Sequence, residues 1–253
     1  MIFDTHAHYD DEQFDGDRDE LLKSMPDFGV GTIVDVSATY ESCEKVLTLA
    51  GKYPHVYAAI GVHPDEVGEL NEDKIQHMKE LCCNKKVVAV GEIGLDYYWD
   101  NEPHEVQQKW FIRQLELAGE VKKPVIIHSR EAAADTMYIM KNYAQGLGGV
   151  IHCYSYSREM AEEYVKMGFY IGIGGVVTFK NAKKLKDVAA AIPIEKIVLE
   201  TDCPYMAPEP YRGKRNQSSY IQYVAEKIAE LKEMSQEEVI AVTEKNARDL
   251  YGI

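Results

Sequence analysis

The chain has 253 residues, 45% hydrophobic and 28% charged, which is an ordinary globular balance and a usual length for one α/β barrel. Its formal net charge of −14 argues against a protein that coats nucleic acid through a basic surface, but not against an enzyme that holds phosphate through metal ions. No apolar run approaches the roughly 20 residues that cross a bilayer, and no signal peptide is visible, so we expect a cytoplasmic protein with no membrane-bound part.

Short β-rich runs recur along the chain, and polar stretches with helical periodicity lie between them. The predicted strands are 2–8, 31–38, 56–63, 87–94, 124–129, 149–154, 169–175 and 196–202. Most are nearly continuous apolar runs, as expected when helices cover a parallel sheet. After the last strand the sequence predicts two closing helices, the second beginning with a capping box of Ser235 and Glu238.

Eight strands that alternate with helices predict a single-domain TIM-like (β/α)8 barrel over residues 1–253, with extra C-terminal helices. A doubly wound open sheet is the alternative, because the number of strands does not prove that the sheet closes.

Side chains that can bind metals fall at the ends of the predicted strands. In the first strand Asp4, His6 and His8 are spaced by two and therefore share one face, which is costly in a buried strand unless something pairs with them. Later strands end in further candidates: His63, Glu92, His128, His152 and Asp202. Because the carboxyl ends of barrel strands converge on one mouth, we expect these side chains to meet there and to bind two divalent cations.

The motifs DTHAH, GVHP, GEIGLDYY, HSRE, HC, VTFKNA, ETDCPY and RGKRN follow one another between residue 4 and about residue 216. In this order the chain resembles the TatD family of metal-dependent hydrolases, a branch of the amidohydrolase-like barrels. The resemblance implies a deoxyribonuclease with 3′-to-5′ exonuclease activity on single-stranded DNA, and with RNA as a further candidate substrate. It implies that His6, His8 and Asp202 bind one metal ion, that His128 and His152 bind the other, and that Glu92 bridges them.

Two ions about 3.5–4 Å apart would acidify a water and neutralise charge on the phosphate. We expect the hydroxide formed between them to attack phosphorus, with Asp202 as ligand and proton acceptor and Glu92 as the second catalytic residue. Imidazole and carboxylate ligands suit Zn²⁺, Mn²⁺ or Fe²⁺ better than Mg²⁺, although the resemblance implies that Mg²⁺ supports nuclease activity. The sequence does not decide among these ions.

We expect the substrate to contact polar residues and cations on loops at the same mouth. The candidates are His63, Arg130, Lys180, Arg212, Lys214, Arg215 and Asn216. The cations of RGKRN are local positive charge in an acidic chain, and an arginine fork matches phosphate oxygens. The aromatic residues 97–99 either stack on unpaired bases or pack their own loop.

Two more carboxylates lie near the predicted ligands. Glu200 shares a strand face with Asp202, and we expect it either in a buried ion pair or as the group that orients His6 or His8. Asp4 is expected to support the structure. Cys153 and Cys203 follow proposed ligands but should point away from them on a strand, so they receive no catalytic role.

The sequence departs from the family pattern at Cys203, at HCYSY in place of HCFSG, and at RGKRNQSS in place of RGKRNEP. These departures leave the proposed metal ligands intact and bear on substrate preference.

Two other functions remain open from the sequence. The same activated water could attack a carbonyl carbon, as in an amide or ester hydrolase such as an aminoacyl-tRNA deacylase. A non-catalytic metal-dependent binding protein is the third hypothesis, although such a protein would not need the bridging Glu92. We predict no obligate protein partner.

Overall fold

The computed structural model describes residues 1–99 and 101–253. Eight parallel strands form one sheet in chain order, with each strand paired to the next. They are β1 (Ile2–Ala7), β2 (Val30–Val36), β3 (Val56–Ile60), β4 (Val87–Asp96), β5 (Val125–Arg130), β6 (Gly149–Ile151), β7 (Tyr170–Ile173) and β8 (Ile197–Leu199).

The first and last strands approach each other at their carboxyl ends. Ala7 forms a parallel bridge with Cys203, and the backbone N–H of His8 donates to the carbonyl oxygen of Cys203 at 2.8 Å. The N–H of Asp202 donates to the carbonyl oxygen of His6 at 2.9 Å. The sheet is therefore a nearly closed barrel, which confirms the predicted TIM-like fold and excludes the open sheet.

Helices connect the strands and surround the barrel. They are α1 (Arg18–Ser24), α2 (Ser42–Lys52), α3 (Glu72–Leu81), α4 (His104–Val121), α5 (Ala133–Tyr143), α6 (Arg158–Lys166), α7 (Lys183–Ala191), α8 (Ile221–Lys232) and α9 (Gln236–Tyr251). Within the described residues, none of these helices has the length and apolar character needed to span a bilayer.

The two predicted C-terminal helices are confirmed as α8 and α9. At the start of α9, the Glu238 N–H donates to Ser235 Oγ at 3.2 Å and the Ser235 N–H donates to the Glu238 carboxylate at 2.9 Å. This is the predicted capping box, which satisfies two backbone donors that a helix start leaves without partners.

Alternating side chains on the strands divide the hydrophobic core into two parts. Ile33, Ile127 and Ile197 belong to the large cluster that includes the helices, whereas their neighbours Val34 and Val198 belong to a smaller cluster. The smaller cluster also contains the end of α9, so apolar residues fill the barrel and leave the polar residues to the mouth.

One predicted strand end is wrong in a way that matters for the site. Strand β4 continues to Asp96, which pairs with Arg130, so Glu92 lies inside the strand and not at its end. The register of β4 against β5 shifts between Val90 and Ile93. Such an irregularity re-aims side chains, and it explains how a residue within a strand reaches the centre of the site.

Strands β3 and β8 are shorter than predicted, and this changes the position of two candidate residues. Strand β3 ends at Ile60, so His63 begins the short 3-10 helix Pro64–Glu69 and its Nδ1 accepts the Asp65 N–H at 3.2 Å. Strand β8 ends at Leu199, and Asp202 lies beyond it in the left-handed backbone region at φ 57°. Aspartate is one of the few residues that tolerate this region, and such conformations cluster at functional sites.

Candidate metal centre

Glu92 lies at the centre of the polar side chains at the barrel mouth. Its carboxylate is buried, and its Oε2 atom is 3.3 Å from His6 Nε2 and 3.7 Å from His8 Nε2. Its Oε1 atom is 2.6 Å from His128 Nδ1 and 2.8 Å from His152 Nε2. Each oxygen of one carboxylate therefore faces its own pair of imidazoles.

We call His6, His8 and Asp202 the β1 half of the site. The Nε2 atoms of the two histidines are 3.0 Å apart, and Asp202 Oδ1 lies 3.4 Å from His8 Nε2 and 3.7 Å from His6 Nε2. His8 Nδ1 lies 2.8 Å from the carbonyl oxygen of Val36, which orients the ring so that Nε2 faces the cluster.

The two imidazoles of the β1 half differ in pKa. Burial opposes protonation of His8, but the nearby Asp202 and Glu92 carboxylates raise its pKa to about 10. Burial and the neighbouring His152 lower the pKa of His6 to about 4. The carboxylates therefore favour a positive charge at His8 more than at His6, and a bound cation would take the place of the proton.

We call His128 and His152 the β5 half of the site. His128 Nδ1 and His152 Nε2 are 3.4 Å apart beside Glu92 Oε1. The other nitrogen of His128 lies 3.0 Å from Asp96 Oδ2. Burial opposes protonation of His128, but Glu92 and Asp96 raise its pKa to about 9.

The donor set fits divalent cations. Nitrogens that bind one tetrahedral Zn²⁺ at 2.0–2.1 Å lie about 3.3 Å apart, close to the 3.0 and 3.4 Å separations of the two histidine pairs. Triads of ligand atoms within 4.8 Å of one another include His6–His8–Glu92, His63–Glu92–His128 and His6–His152–Asp202. Imidazole and carboxylate donors that converge in this way are the usual ligands of Zn²⁺ and Mn²⁺.

Glu200 lies behind the β5 half. It does not lie behind His6 or His8, which was one of the two roles that the sequence left open for it. Its Oε1 atom accepts the Cys153 N–H at 2.5 Å and lies 3.8 Å from His152 Nδ1. A Cβ atom at Gly172 would lie 2.4 Å from Glu200 Oε2, so glycine at this position makes room for the carboxylate. Burial raises the pKa of Glu200 to about 7.

Asp4 supports the β1 half from within the barrel. Its carboxylate accepts hydrogen bonds from the Thr201 N–H at 2.9 Å, from Thr201 Oγ1 at 2.6 Å and from Ser218 Oγ at 2.6 Å. These bonds fix the chain immediately before Asp202. The contacts are structural, as the sequence led us to expect.

A cavity of about 820 Å³ opens above the site. Its lining includes the candidate metal ligands His8, Glu92, His128, His152 and Asp202, together with His63. Arg130 and Lys45 are the cations in the described lining, and Asp10, Asp11 and Glu12 form an acidic edge. Sequence reasoning missed Lys45, because this residue lies on α2 in no recognisable motif.

Several residues expected to contact substrate lie outside the described cavity lining. Lys180, Arg212 and Lys214 are exposed. Arg215 forms an ion pair with Asp17 and donates to both of its carboxylate oxygens, at 2.8 and 2.5 Å. Lys180, Arg212 and Lys214 are therefore surface cations outside the cavity lining, and Arg215 is held in an ion pair.

Asn216 is fully buried and does not face the cavity. Its Nδ2 donates to the carbonyl oxygens of Thr201 at 2.8 Å and Tyr205 at 2.7 Å. The amide therefore holds the loop after β8, and we do not retain Asn216 as a substrate contact.

The aromatic residues after Glu92 divide into two groups. Tyr97 stacks on His104 with ring centroids 3.5 Å apart, so it packs its loop. Tyr98 and Trp99 are more than half exposed, and the Arg130 guanidinium lies 3.8 Å from the centroid of Tyr98 and 5.4 Å from that of Trp99. Both rings are thus held at the mouth beside a cation.

The expectation that Cys153 points away from the site is wrong. It assumed a strand through Cys153, but β6 ends at Ile151 and Cys153 has a φ of 44°. The turn brings Cys153 into the cavity lining, whereas Cys203 is fully buried.

Comparisons with known proteins agree with this geometry. The family model of the TatD related DNases matches residues 3–252. The uncharacterized metal-dependent hydrolase YabD of Bacillus subtilis is 46% identical to this chain over 254 residues, and the alignment covers 100% of both proteins.

Solved structures give the same result. The TatD homolog YJJV of Escherichia coli K12 has a TM-score of 0.93 at 33% identity, covering 100% of this chain and 98% of that one. A TatD family hydrolase of Entamoeba histolytica has a TM-score of 0.90 at 26% identity, covering 99% and 98%. The family match over nearly the whole chain and the converging imidazole and carboxylate ligands identify the chain as a metal-dependent hydrolase of the TatD family.

Proposed function

We propose that this hydrolase is a deoxyribonuclease that shortens single-stranded DNA from its 3′ end, with RNA as a second candidate substrate. The observation that carries the proposal is the position of Glu92, whose two oxygens each face a separate pair of imidazoles. This arrangement suits two cations that share one carboxylate, and paired cations are typical of enzymes that hydrolyse phosphodiesters.

In this proposal, His6, His8, Asp202 and Glu92 hold one ion, and Glu92, His128 and His152 hold the other. Mn²⁺, Zn²⁺ and Mg²⁺ are the candidates. When bound, such ions supply an activated water and neutralise the charge that develops on the phosphate.

Asp202 is the proposed proton acceptor. Burial alone would favour its neutral form, but His8, His152 and His6 lower its pKa, so the carboxylate is ionised at neutral pH. Its side chain remains 16% exposed at the cavity floor, within reach of a substrate. An ionised carboxylate at this position can take a proton from water as the water attacks.

Arg130, Lys45 and His63 are the proposed substrate contacts in the cavity. The two cations can pair with phosphate oxygens, and the guanidinium can do so through two hydrogen bonds. Burial and the neighbouring His128 lower the pKa of His63 to about 3, so its imidazole is neutral and can donate or accept a hydrogen bond. It lies 3.9 Å from Glu92 Oε1, beside the proposed reaction centre.

The proposal is tested by metal analysis of the purified protein together with cleavage of single-stranded DNA that carries a label at the 3′ end. We expect two metal ions per chain, stepwise loss of 3′ nucleotides and complete inhibition by EDTA. His128→Ala should abolish cleavage. His77→Ala is the matched control, because His77 lies on α3 and contacts Tyr40. Cleavage that survives His128→Ala would place the activity elsewhere.

An aminoacyl-ester hydrolase is the second candidate, and the acidic edge of the cavity favours it. Asp10, Asp11 and Glu12 would attract the positive α-amino group of an aminoacyl ester and repel a phosphate. Release of amino acid from aminoacyl-tRNA, without shortening of the labelled DNA by the same metal-loaded protein, would support this function in place of the nuclease.

A further inference from the structure

A group of exposed cations lies on the loops that follow β7 and β8 and on the first turn of α7. We call Lys180, Lys183, Lys184, Arg212 and Lys214 the basic flank. None of these five side chains forms an ion pair with any residue that the structure describes. The flank is therefore positive charge with no carboxylate partner among those residues.

Several other surface cations of this chain are paired. Lys52 contacts Asp19 at 2.5 Å, and Arg113 contacts Glu72 at 3.0 Å. Arg215, which is adjacent in sequence to the basic flank, is also paired through Asp17. Because the whole chain carries a net charge of −14, a group of unpaired cations is a local reversal of the surface potential.

The basic flank is continuous with the cavity. Met206 lines the cavity, and a Cβ atom at Gly175 would lie 2.1 Å from its carbonyl oxygen, so the two loops are in close contact. Farther out, the Glu209 N–H donates to Thr178 Oγ1 at 2.8 Å. The Arg212 guanidinium then lies 4.2 Å from the ring centroid of Phe179, next to Lys180.

Aromatic rings alternate with the cations of the flank. Lys214 Nζ lies 5.7 Å from the ring centroid of Tyr211, which stacks on Tyr220 at 4.1 Å with an angle of 5° between the planes. Cations combined with aromatic rings are typical of surfaces that bind single-stranded nucleic acid without sequence preference.

We propose that the basic flank binds the phosphate backbone of single-stranded nucleic acid outside the cavity, several nucleotides away from the cleaved bond. This inference rests on the proposed nuclease function of the cavity. Asp187 and Glu209 border the flank in sequence. Tyr205, which precedes Met206, donates to Asp11 of the acidic edge at 2.7 Å, so this edge borders the same side of the mouth as the flank. The cations beyond Met206 are then the positive charge that a phosphate backbone meets when it leaves the cavity on this side.

The test uses binding of a fluorescent 20-nucleotide phosphorothioate oligo-dT, which resists hydrolysis, to the metal-loaded protein. The variant is K183E/K184E, and K85E/K122E is the matched control. Lys85 and Lys122 are exposed, precede β4 and β5 at the opposite end of the barrel, and give the same change in charge. Folding should tolerate the variant, because Lys183 and Lys184 begin α7, where acidic residues stabilise a helix.

We expect the Kd of K183E/K184E to rise about 10-fold and the slope of log Kd against log salt to fall by about 1.4, which corresponds to two lost phosphate contacts. The control should stay within about twofold of wild type at each salt concentration, because its charges lie far from the flank compared with the Debye length. Equal affinities for wild type, variant and control would overturn the proposal.

Hydrolysis of a trinucleotide and of bis(p-nitrophenyl) phosphate separates the flank from the cavity. Neither substrate is long enough to reach the flank, so K183E/K184E should cleave both at the wild-type rate. A selective loss of oligo-dT affinity without any phosphodiester cleavage by wild type would support the flank and refute the nuclease. Cleavage of short substrates with no change in oligo-dT affinity would refute the flank alone.

Discussion

The two halves of the metal centre are held in place by different kinds of contact. In the β1 half, the partners are backbone groups. The carbonyl oxygen of Val36 lies 2.8 Å from His8 Nδ1, and the N–H of Asp202 donates to the carbonyl oxygen of His6. These partners belong to β2 and to the seam that closes the barrel, so backbone contacts attach the β1 half to the sheet.

In the β5 half, the partners are carboxylates. Asp96 Oδ2 lies 3.0 Å from the outer nitrogen of His128. Glu200 Oε1 lies 3.8 Å from the outer nitrogen of His152, a charge contact that is too long for a hydrogen bond. A carboxylate behind a metal-binding histidine fixes the ring and makes it a stronger ligand. The difference indicates that substitutions behind the β5 half alter metal affinity, whereas substitutions behind the β1 half alter stability first.

The largest loss of activity is expected when Glu92, which both halves share, is substituted. Glu92→Gln keeps the shape of the side chain but removes the charge that faces four imidazoles. We expect the turnover of single-stranded DNA to fall roughly 10⁴-fold or more, as when members of one catalytic unit are removed. Metal analysis should show loss from both halves. Glu69→Gln, at a side chain that is 87% exposed, is the control. A variant that retains two ions would contradict a bridging role.

Asp202→Asn should affect one half only. The amide cannot accept a proton as a carboxylate does, so we expect kcat to fall about 10³-fold, a typical contribution of a general base. Because His128, His152 and Glu92 are unchanged, the ion of the β5 half should remain. Kinetics and metal content are measured on the same preparation. Near-normal turnover would remove Asp202 from the mechanism.

Asp96→Asn tests the carboxylate behind His128. We expect the affinity for one of the two ions to fall about 10–100-fold, with a much smaller change in kcat at saturating metal. Competition with a chromophoric chelator measures both affinities. Asp135→Asn is a suitable control, because Asp135 bonds to Tyr97 and Gln108 and lies outside the metal cluster. Equal affinities in Asp96→Asn and wild type would show that the backing carboxylate is not needed.

The fold and the proposed ligands follow from local sequence patterns, and this explains why both could be predicted. Strand positions come from apolar runs, and the carboxyl ends of parallel strands must meet at one mouth. His6 and His8 share a face because side chains alternate along a strand, and their Nε2 atoms are indeed 3.0 Å apart.

The support around the ligands could not be predicted, because it depends on contacts between distant segments. Asp96 lies behind His128 only because β4 is longer than its apolar run and is irregular before Ile93. Arg215 and Asp17 pair across 198 positions of sequence. Lys45 lies near the start of α2, and the helical pattern does not show that this end of the helix borders the cavity, so Lys45 was not foreseen.

We expect the smallest effect on activity for Asp4→Asn. This variant tests whether the β1 half and the β5 half really differ in the groups that support them. Both Asp4 oxygens accept hydrogen bonds from Thr201 or Ser218, and an asparagine NH₂ group would face donors instead of accepting from them. We expect the free energy of unfolding to fall by about 1–3 kcal/mol, the usual result when buried polar groups lose partners. Urea unfolding of the metal-loaded protein measures this loss. Ser218→Ala, which removes one of the donors, should lower the free energy of unfolding by less.

Metal affinity should change far less in Asp4→Asn than in Asp96→Asn, because Asp4 touches none of the ligand side chains. If Asp4→Asn weakened metal binding as strongly as Asp96→Asn, the β1 half would depend on a carboxylate too, and the distinction between a backbone-held and a carboxylate-held half would fail.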